Sequence, residues 1–486
     1  MTDVWQNPIF QHGLSLSGKQ FYHAALEQWA ELRNLPAGTL HAEDEALLCD
    51  EMGKAYIQLA DYGPALELFS KAAALASEAA TGLLYRMHVS MTYGRLAQND
   101  RAQRLHTQIV TQAQGLDLPP QLLGYLFSNL GYVYGHSGFY KEAVAHTLTG
   151  LRYFQEAGVE SFLPDLYTNL GFLQIELEQY EDAESYLLKA SKLYQEPLPA
   201  ITELCRLYLV RGDIELSAKY AEQSLDVIWS SFINYEKEEI ARLCHLFARL
   251  AYQNGDRRIA LRLIEKSQLF FGQLGLWHEW NRVQSVMDQW EQSPCESPLT
   301  FHAHRMNELT QFVLLLDAMN AQEIIHDRFS ALLDTRVLYA RALAAALGFD
   351  AQEQQLLVYA SRFADYGLTA VEPEVVLDPS RSAQASQHYR QHPLLSVRML
   401  VEIDVPEKVQ RIILDHHERC DGLGYPHGKT SAEIEPLALA FALADDYATG
   451  IALERRLHSE VLQSMSVNAK HYDPTMLETF MDLFKP

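Results

Sequence analysis

MGKAYIQLADYGPALELFSKAA, residues 52–73, is echoed by LGYVYGHSGFYKEAVAHTLTG at 130–150 and by LGFLQIELEQYEDAESYLLKA at 170–190. In each copy a small residue leads into an aromatic-rich stretch. A tyrosine (Tyr62, Tyr140, Tyr180) then opens the second half, and an alanine (Ala65, Ala143, Ala183) follows three residues later. Self-similarity of this length marks a stacked-repeat architecture, in which one helical unit cannot bury its apolar face until the next unit covers it.

Working outward, the first small residue recurs at Gly53, Ser90, Gly131, Gly171, Cys205 and Ala248, and a second one always stands twelve residues later, at Ala65, Ala102, Ala143, Ala183, Ser217 and Ala260. Successive copies are 34 to 43 residues apart. Two helices approach closely only where side chains are small, and aromatic side chains fill the neighbouring gaps. Gly138, Gly212 and Gly255 fall at the turn between the helices, where a helix must stop and a positive φ is useful. FYHAALEQWAEL, residues 21–32, reads as the second helix of a further copy, and Trp277 to Gln292 as a capping helix. The pattern resembles the tetratricopeptide repeat. That resemblance implies an α-solenoid over residues 1–292 whose concave surface takes an as yet unidentified protein or peptide; the small residues themselves serve packing.

SPCESPLT, residues 293–300, breaks the pattern with two prolines and two serines and reads as a linker. Beyond it the repeat period is lost, but helical patterning continues in LDTRVLYARALAAALG, residues 333–348, with no convincing alternating strand. The expected fold class is therefore all-α, with a second helical domain over 301–486.

The 486 residues carry a formal net charge of −24. A field of that sign repels polyphosphate backbones and argues against a nucleic-acid partner, without excluding a small anion in a local pocket. Five scattered cysteines form no CxxC pair, which argues against a disulfide framework and a thiolate zinc site and suits a reducing cytoplasm. MTDVWQNPIFQHGL has no basic region leading into an apolar run, and no stretch of about 18 uncharged apolar residues occurs. The reading predicts no signal peptide, no membrane span and a cytoplasmic location.

DHHERCDGLGYPHG, residues 415–428, carries the chemistry. It resembles the HHExxDGxGYPxG signature of the HD-GYP family, matching at His416, His417, Glu418, Asp421, Gly422, Gly424, Tyr425, Pro426 and Gly428. Gln391-His392-Pro393 stands where that family has a His-Pro pair, FALADDYATG with Asp445 where it has its late Ala-Asp segment, and HYDPTMLETF where it closes. The resemblance implies a bacterial metal-dependent phosphohydrolase domain of cyclic-di-GMP signalling. Phosphodiester hydrolysis at neutral pH is served by divalent ions that activate water and neutralise phosphoryl oxygens, and imidazole with carboxylate suits iron, manganese and similar metals. The implied metal ligands are Asp365, His392, His416, His417 and Asp445. Gly424, Tyr425, Pro426 and Asp421 are the implied ligand-binding positions.

The resemblance breaks at RFADYGL, residues 362–368. Where the family has His-Asp and, further on, a lysine, this chain has Ala364-Asp365 and Leu368. Asp334, in LDTRV, and His388, four residues before His392, are candidate substitute ligands. The expectation is one or two divalent ions, with loss of the metal as the alternative. Phosphodiesterase activity is expected to be weak or absent, and an active two-metal phosphodiesterase is the competing reading. Cyclic-di-GMP or a related nucleotide is the implied small partner.

Overall fold

The computed structural model describes the chain except residues 1–3, 37, 97, 114, 195–196, 232–236, 254, 275, 293–308, 311, 315, 318–320, 322–328 and 402–404. The linker expected at 293–300 lies outside the described residues. The chain divides into two compact units, one of Met1–Trp5 with Pro36–Thr310, the other of Gln6–Leu35 with Gln311–Pro486. Among the described residues there is no strand, only an isolated bridge between Asp421 and Thr430.

The first unit is built of helix pairs. Ala42–Gln58 packs with Tyr62–Leu75, Ala79–Arg95 with Asn99–Ala113, and Pro120–His136 with Tyr140–Glu156. Leu163–Glu176 packs with Tyr180–Leu193, Leu198–Arg211 with Ile214–Ser231, and Lys237–Gln253 with Arg257–Gln273, before Trp277–Gln292 closes the run. The twelve-residue pairs of small side chains are where each pair crosses. A Cβ on Gly53 would stand 2.6 Å from the Phe69 ring. Where the small residue is polar it ties the two helices together: Ser90 Oγ donates to the Ala102 carbonyl at 2.8 Å, and Ser217 Oγ to the Cys205 carbonyl at 3.0 Å.

Gly138, Gly212 and Gly255 have φ of 81°, 78° and 84°, the left-handed conformation expected of a turn glycine. Ala60 and Glu178 occupy the same place, two residues before the second helix, with φ of 55° and 59°. A side chain there costs roughly 1–2 kcal/mol, partly offset in glycine by its larger unfolded-state entropy. Glu178→Gly is therefore expected to stabilise the repeat array by up to about 1 kcal/mol, measured as a higher urea midpoint of its unfolding transition. An unchanged or lower midpoint would count against this account of the turn.

The second unit contains the hairpin Pro8–Gly18 and Tyr22–Arg33, which the sequence reading had assigned to the repeats. Its contacts explain the difference. Phe21 stacks on Tyr339 at 4.9 Å between ring centroids and leans on Phe484 at 5.3 Å. His12 Nε2 lies 3.0 Å from the Phe484 carbonyl, and Ser459 N donates to Glu27 at 3.1 Å. Periodicity reports that a helix has an apolar stripe, not which surface covers it.

At the centre of this unit the helix Phe329–Ala346 packs on Pro436–Ala448. The stretch Pro436–Leu453 is, among the described residues, long and apolar enough to cross a bilayer by length and composition. It is mostly buried inside the protein and carries Asp445 and Asp446, as a core helix does.

Candidate metal centre

Four elements bring the site together. His392 is the first residue of the helix His392–Met399, and His416 and His417 follow the end of the helix Glu407–Asp415. That helix is held in place by buried Val409, Ile412 and Ile413. Asp365 lies just past the helix Ala351–Phe363, and Asp445 sits within Pro436–Ala448. Ser396 locks two of these pieces in register, because its Oγ donates to the Ala364 carbonyl at 2.7 Å and accepts from Gly367 N at 2.7 Å. Gly367 has no room for a side chain there, since a Cβ would meet Ser396 N at 2.6 Å.

The ligand atoms of Asp365, His392, His416 and His417 all lie within 4.8 Å of one another. His392 Nδ1 is 2.8 Å from the Tyr389 carbonyl, and His416 Nδ1 is 2.6 Å from the Ile413 carbonyl. A carbonyl only accepts, so both Nδ1 atoms carry the proton and both Nε2 atoms present lone pairs. Those two Nε2 atoms face each other at 3.3 Å, and Asp365 Oδ1 lies 3.3 Å from His392 Nε2. His417 Nε2 is buried with no hydrogen-bond partner among the described residues. Converging lone pairs, oriented by backbone carbonyls behind them, are what a metal-binding set of imidazoles requires. The residues present therefore fit a divalent ion.

Electrostatics agree with neutral rings at His392 and His417. Burial holds His392 down to about 4, against the pull of Asp365. Burial, with His416 and His392 adding to it, keeps His417 well below the usual histidine range. Burial opposes ionisation of Asp365, but the neighbouring Arg336 guanidinium wins and holds its carboxyl below the usual range. Asp445 is displaced upward, chiefly by burial.

Arg336 is the residue that sequence reasoning missed. It is fully buried, and its Nη2 lies 2.5 Å from both Asp365 Oδ2 and Asp445 Oδ1. Nη1 donates to the Ser361 carbonyl at 3.3 Å, and the guanidinium lies 5.6 Å from the Phe441 ring centroid. The signal was present: Leu332, Leu333, Arg336, Tyr339, Ala340 and Leu343 recur at helical spacing, so Arg336 sits on the apolar stripe, where an arginine needs buried partners. Asp445 is thus paired with Arg336, and its Oδ2 lies 4.0 Å from His417 Nδ1. Arg336→Met would leave two buried carboxylates uncompensated and is expected to cost the second unit about 3–5 kcal/mol. Added Mn2+ should recover part of that loss in thermal unfolding. A variant as stable as the parent would contradict the assigned pairing.

The remaining candidates separate. Asp334 is largely exposed and pairs with Arg362 at 2.9 Å, and His388 is exposed on the helix Ala383–Tyr389, so neither joins the cluster. Helical spacing put them near; side-chain direction turned them out. Ala364 is fully buried, and Leu368 packs into an apolar cluster with Leu332, Leu333, Ala448 and Ala452.

Tyr425 lies against His417, 4.6 Å between ring centroids, under the Arg390 guanidinium at 5.4 Å. The loop that carries it is tied from within. Buried Glu418 accepts from His427 N at 2.7 Å and Lys429 N at 2.8 Å. Asp421 accepts from Arg419 at 2.6 Å and Leu423 N at 3.1 Å, so its carboxylate is spent on the loop. Gly424 crosses close over the Glu418 backbone, where a Cβ would fall 2.5 Å from Glu418 Cα, and the Tyr425–Pro426 peptide is cis.

An all-helical domain whose buried core converges histidines and an aspartate on one point defines the class, and residues 320–476 match the HD domain family model. The second unit carries an HD domain. Its curated relatives include a cyclic di-GMP phosphodiesterase of Thermotoga maritima, 27% identical over 135 residues, covering 26% of this chain and 37% of that one. Another, a cyclic di-GMP phosphodiesterase of Pseudomonas aeruginosa, is 34% identical over 98 residues, covering 19% of this chain and 23% of the relative. The match thus spans well under half of either relative. Solved structures similar to the chain include PilW, a type IV pilus biogenesis factor, at 18% identity and TM-score 0.36, covering 47% of this chain and 94% of PilW. The quorum sensor NprR of B. thuringiensis is similar at 18% identity and TM-score 0.37, covering 58% of this chain and 74% of NprR.

Proposed function

We propose that this chain is a cyclic-di-GMP signalling protein of the HD-GYP type, which holds a single divalent ion and binds the dinucleotide with little or no hydrolysis. Its repeat array serves protein interaction. The observation that carries this is the composition of the buried centre. Three imidazoles and Asp365 converge there, while the places where the resembled family supplies a further histidine and a lysine are Ala364 and Leu368, both buried. Arg336 already neutralises the outer oxygens of Asp365 and Asp445, which disfavours a second ion at those oxygens.

Asp365, His392, His416 and His417 would hold the divalent ion, which when bound would supply Lewis acidity toward a phosphodiester. The chain's own residues do the rest. The Tyr389 and Ile413 carbonyls fix the tautomers, and Tyr425 shields one side of His417. Arg390, exposed over Tyr425, offers a cation to a phosphate at the rim. Arg390→Ala is expected to weaken cyclic-di-GMP binding by roughly 10-fold or more, measured by calorimetry on metal-loaded protein. Unchanged affinity would remove Arg390 from the binding site.

The test of the function itself measures binding and hydrolysis of cyclic-di-GMP on the same metal-loaded sample. Binding without turnover supports the reading. Turnover at rates usual for enzymes, about 1–10³ per second, would establish the competing reading, an active phosphodiesterase, which the three converging histidines and the related phosphodiesterases favour. Neither binding nor turnover would overturn both.

A further inference from the structure

Two adjoining cavities run through the first helices of successive repeats, and neither takes part in the chemistry above. One, of about 400 Å³, is lined by Asp165, Glu203, Glu238, Glu239 and Arg242, with Tyr132, Phe172 and Tyr194 as aromatic walls. The other, of about 500 Å³, is lined by Leu84, Met87, Met91, Tyr125, Phe154 and Phe162, with Lys54 and His88 at its polar edge. Tyr132, Asp165 and Asn169 line both, so the two form one groove with an acidic end and an apolar end.

The acidic end is not self-neutralised. Arg242 Nη1 bonds Glu203 at 3.0 Å and Arg242 Nη2 bonds Glu238 at 2.8 Å, and Arg206 Nε adds a bond to Glu203 at 2.6 Å. Asp165 accepts from the Tyr194 hydroxyl at 2.5 Å, which brings no charge. Glu239 Oε1 is sealed from solvent and has no hydrogen-bond partner among the described residues. Glu239 as a whole is only partly buried and lines the cavity, so a cation entering there meets its carboxylate together with those of Glu238 and Asp165. The aromatic walls add cation–π attraction, as Phe172 already shows by holding Arg206 at 4.7 Å and Arg242 at 4.9 Å from its centroid. In the middle of the groove, Asn169 presents an amide that both donates and accepts, while Asn129, at the equivalent place one repeat earlier, donates its amide nitrogen to the Tyr125 carbonyl at 2.9 Å. A side-chain amide matches the donor and acceptor of a peptide bond.

We infer that this groove binds a short extended peptide carrying a lysine, arginine or free amino terminus at one end, seated by Glu239 and its acidic neighbours, and an apolar residue at the other, seated among Leu84, Met91 and Phe162. The inference rests on the repeat array as a protein-binding surface and is independent of what the HD domain binds. It carries a proton linkage. Burial lifts Glu239 to about 7, with Arg242 and Thr202 pulling it down and Glu203 and Glu238 pushing it up. Seating a cation favours the carboxylate, so binding releases protons near neutral pH and weakens as pH falls below about 7.

The test pans a random heptapeptide library against the full-length chain, then measures selected peptides by calorimetry in two buffers of different ionisation enthalpy. The expected result is enrichment of a basic residue separated from an apolar one, proton release on binding, and at least about tenfold weaker binding to Glu239→Gln. That variant is isosteric, and circular dichroism with thermal unfolding verifies its fold. Met91→Glu, at an exposed position of the apolar end, should abolish binding of the same peptides, its fold verified in the same way. Selection of acidic peptides, no enrichment above background, or equal binding to folded Glu239→Gln would each overturn the inference. Cyclic-di-GMP binding by both variants should match the parent, so failure of the groove is distinguishable from failure of the metal centre.

Discussion

His416→Ala and His417→Ala are each expected to lower the affinity of the chain for Mn2+ by at least about 10–100-fold, the loss typical of disturbing even the partners behind a ligand. The backbone carbonyls of Ile413 and Tyr389 take the Nδ1 protons of His416 and His392, so each Nε2 is left to face the same point, 3.3 Å apart. Without a cation between them, two such lone pairs repel. Beside them, His417 Nε2 is buried with no hydrogen-bond partner among the described residues. Removing either ring leaves too few donors to replace the hydration of the ion, and the surviving imidazoles are buried without compensation. Asp334→Ala and His388→Ala are the matched controls. Both side chains point out of the cluster, so calorimetric titration with Mn2+ should find their affinity unchanged. Full affinity in either histidine variant would show that the cluster is packing alone.

Phe21→Ala is expected to destabilise the second unit by about 3–5 kcal/mol, the range for losing a buried aromatic. A chain begun at Pro36 should leave that unit unfolded. Phe21 joins Tyr339, Phe484 and, through them, Tyr447 and Phe480 in one aromatic core, with ring centroids 4.5 to 6.2 Å apart. Tyr339 lies one turn from Arg336 and Tyr447 two residues from Asp445, on the two helices that carry the ion pair at the metal centre. Trp29, fully buried, packs under Gly13 and donates Nε1 to the Phe10 carbonyl at 3.3 Å, so the two helices of the hairpin are also tied to each other. Limited proteolysis and Mn2+ binding on the shortened chain check this. A protease-resistant unit with full metal affinity would mean that the hairpin is an ornament on a domain that stands without it.

The repeat array was legible because its signal is redundant. The same small residue recurs at the same crossing, and the structure uses Gly53, Ser90 and Cys205 as the spacing implied. The histidines were legible because a dense motif surrounds them. What escaped depended on three-dimensional partners. Arg336 carries no motif of its own; only its place on an apolar helical stripe betrays it. The hairpin at 8–33 has the periodicity of a repeat helix pair, and periodicity is blind to whether Phe21 meets a neighbouring repeat or Tyr339. Asp334 and His388 were near in sequence spacing, yet the helices that bear them turn both side chains to the surface. Ala60 and Glu178, at a turn that glycine fills elsewhere, show the opposite limit: the residue type gave no warning, and the backbone took the left-handed conformation because the helix pair around it demands the turn.

Elemental analysis of the full-length chain, purified without oxygen or chelator, decides whether the buried cluster holds one ion. The account predicts a single divalent ion per chain, lost in His416→Ala and retained in Asp334→Ala. Two ions per chain would contradict the reading that Ala364 and Arg336 close off a second position, and no ion at all would contradict the metal centre itself.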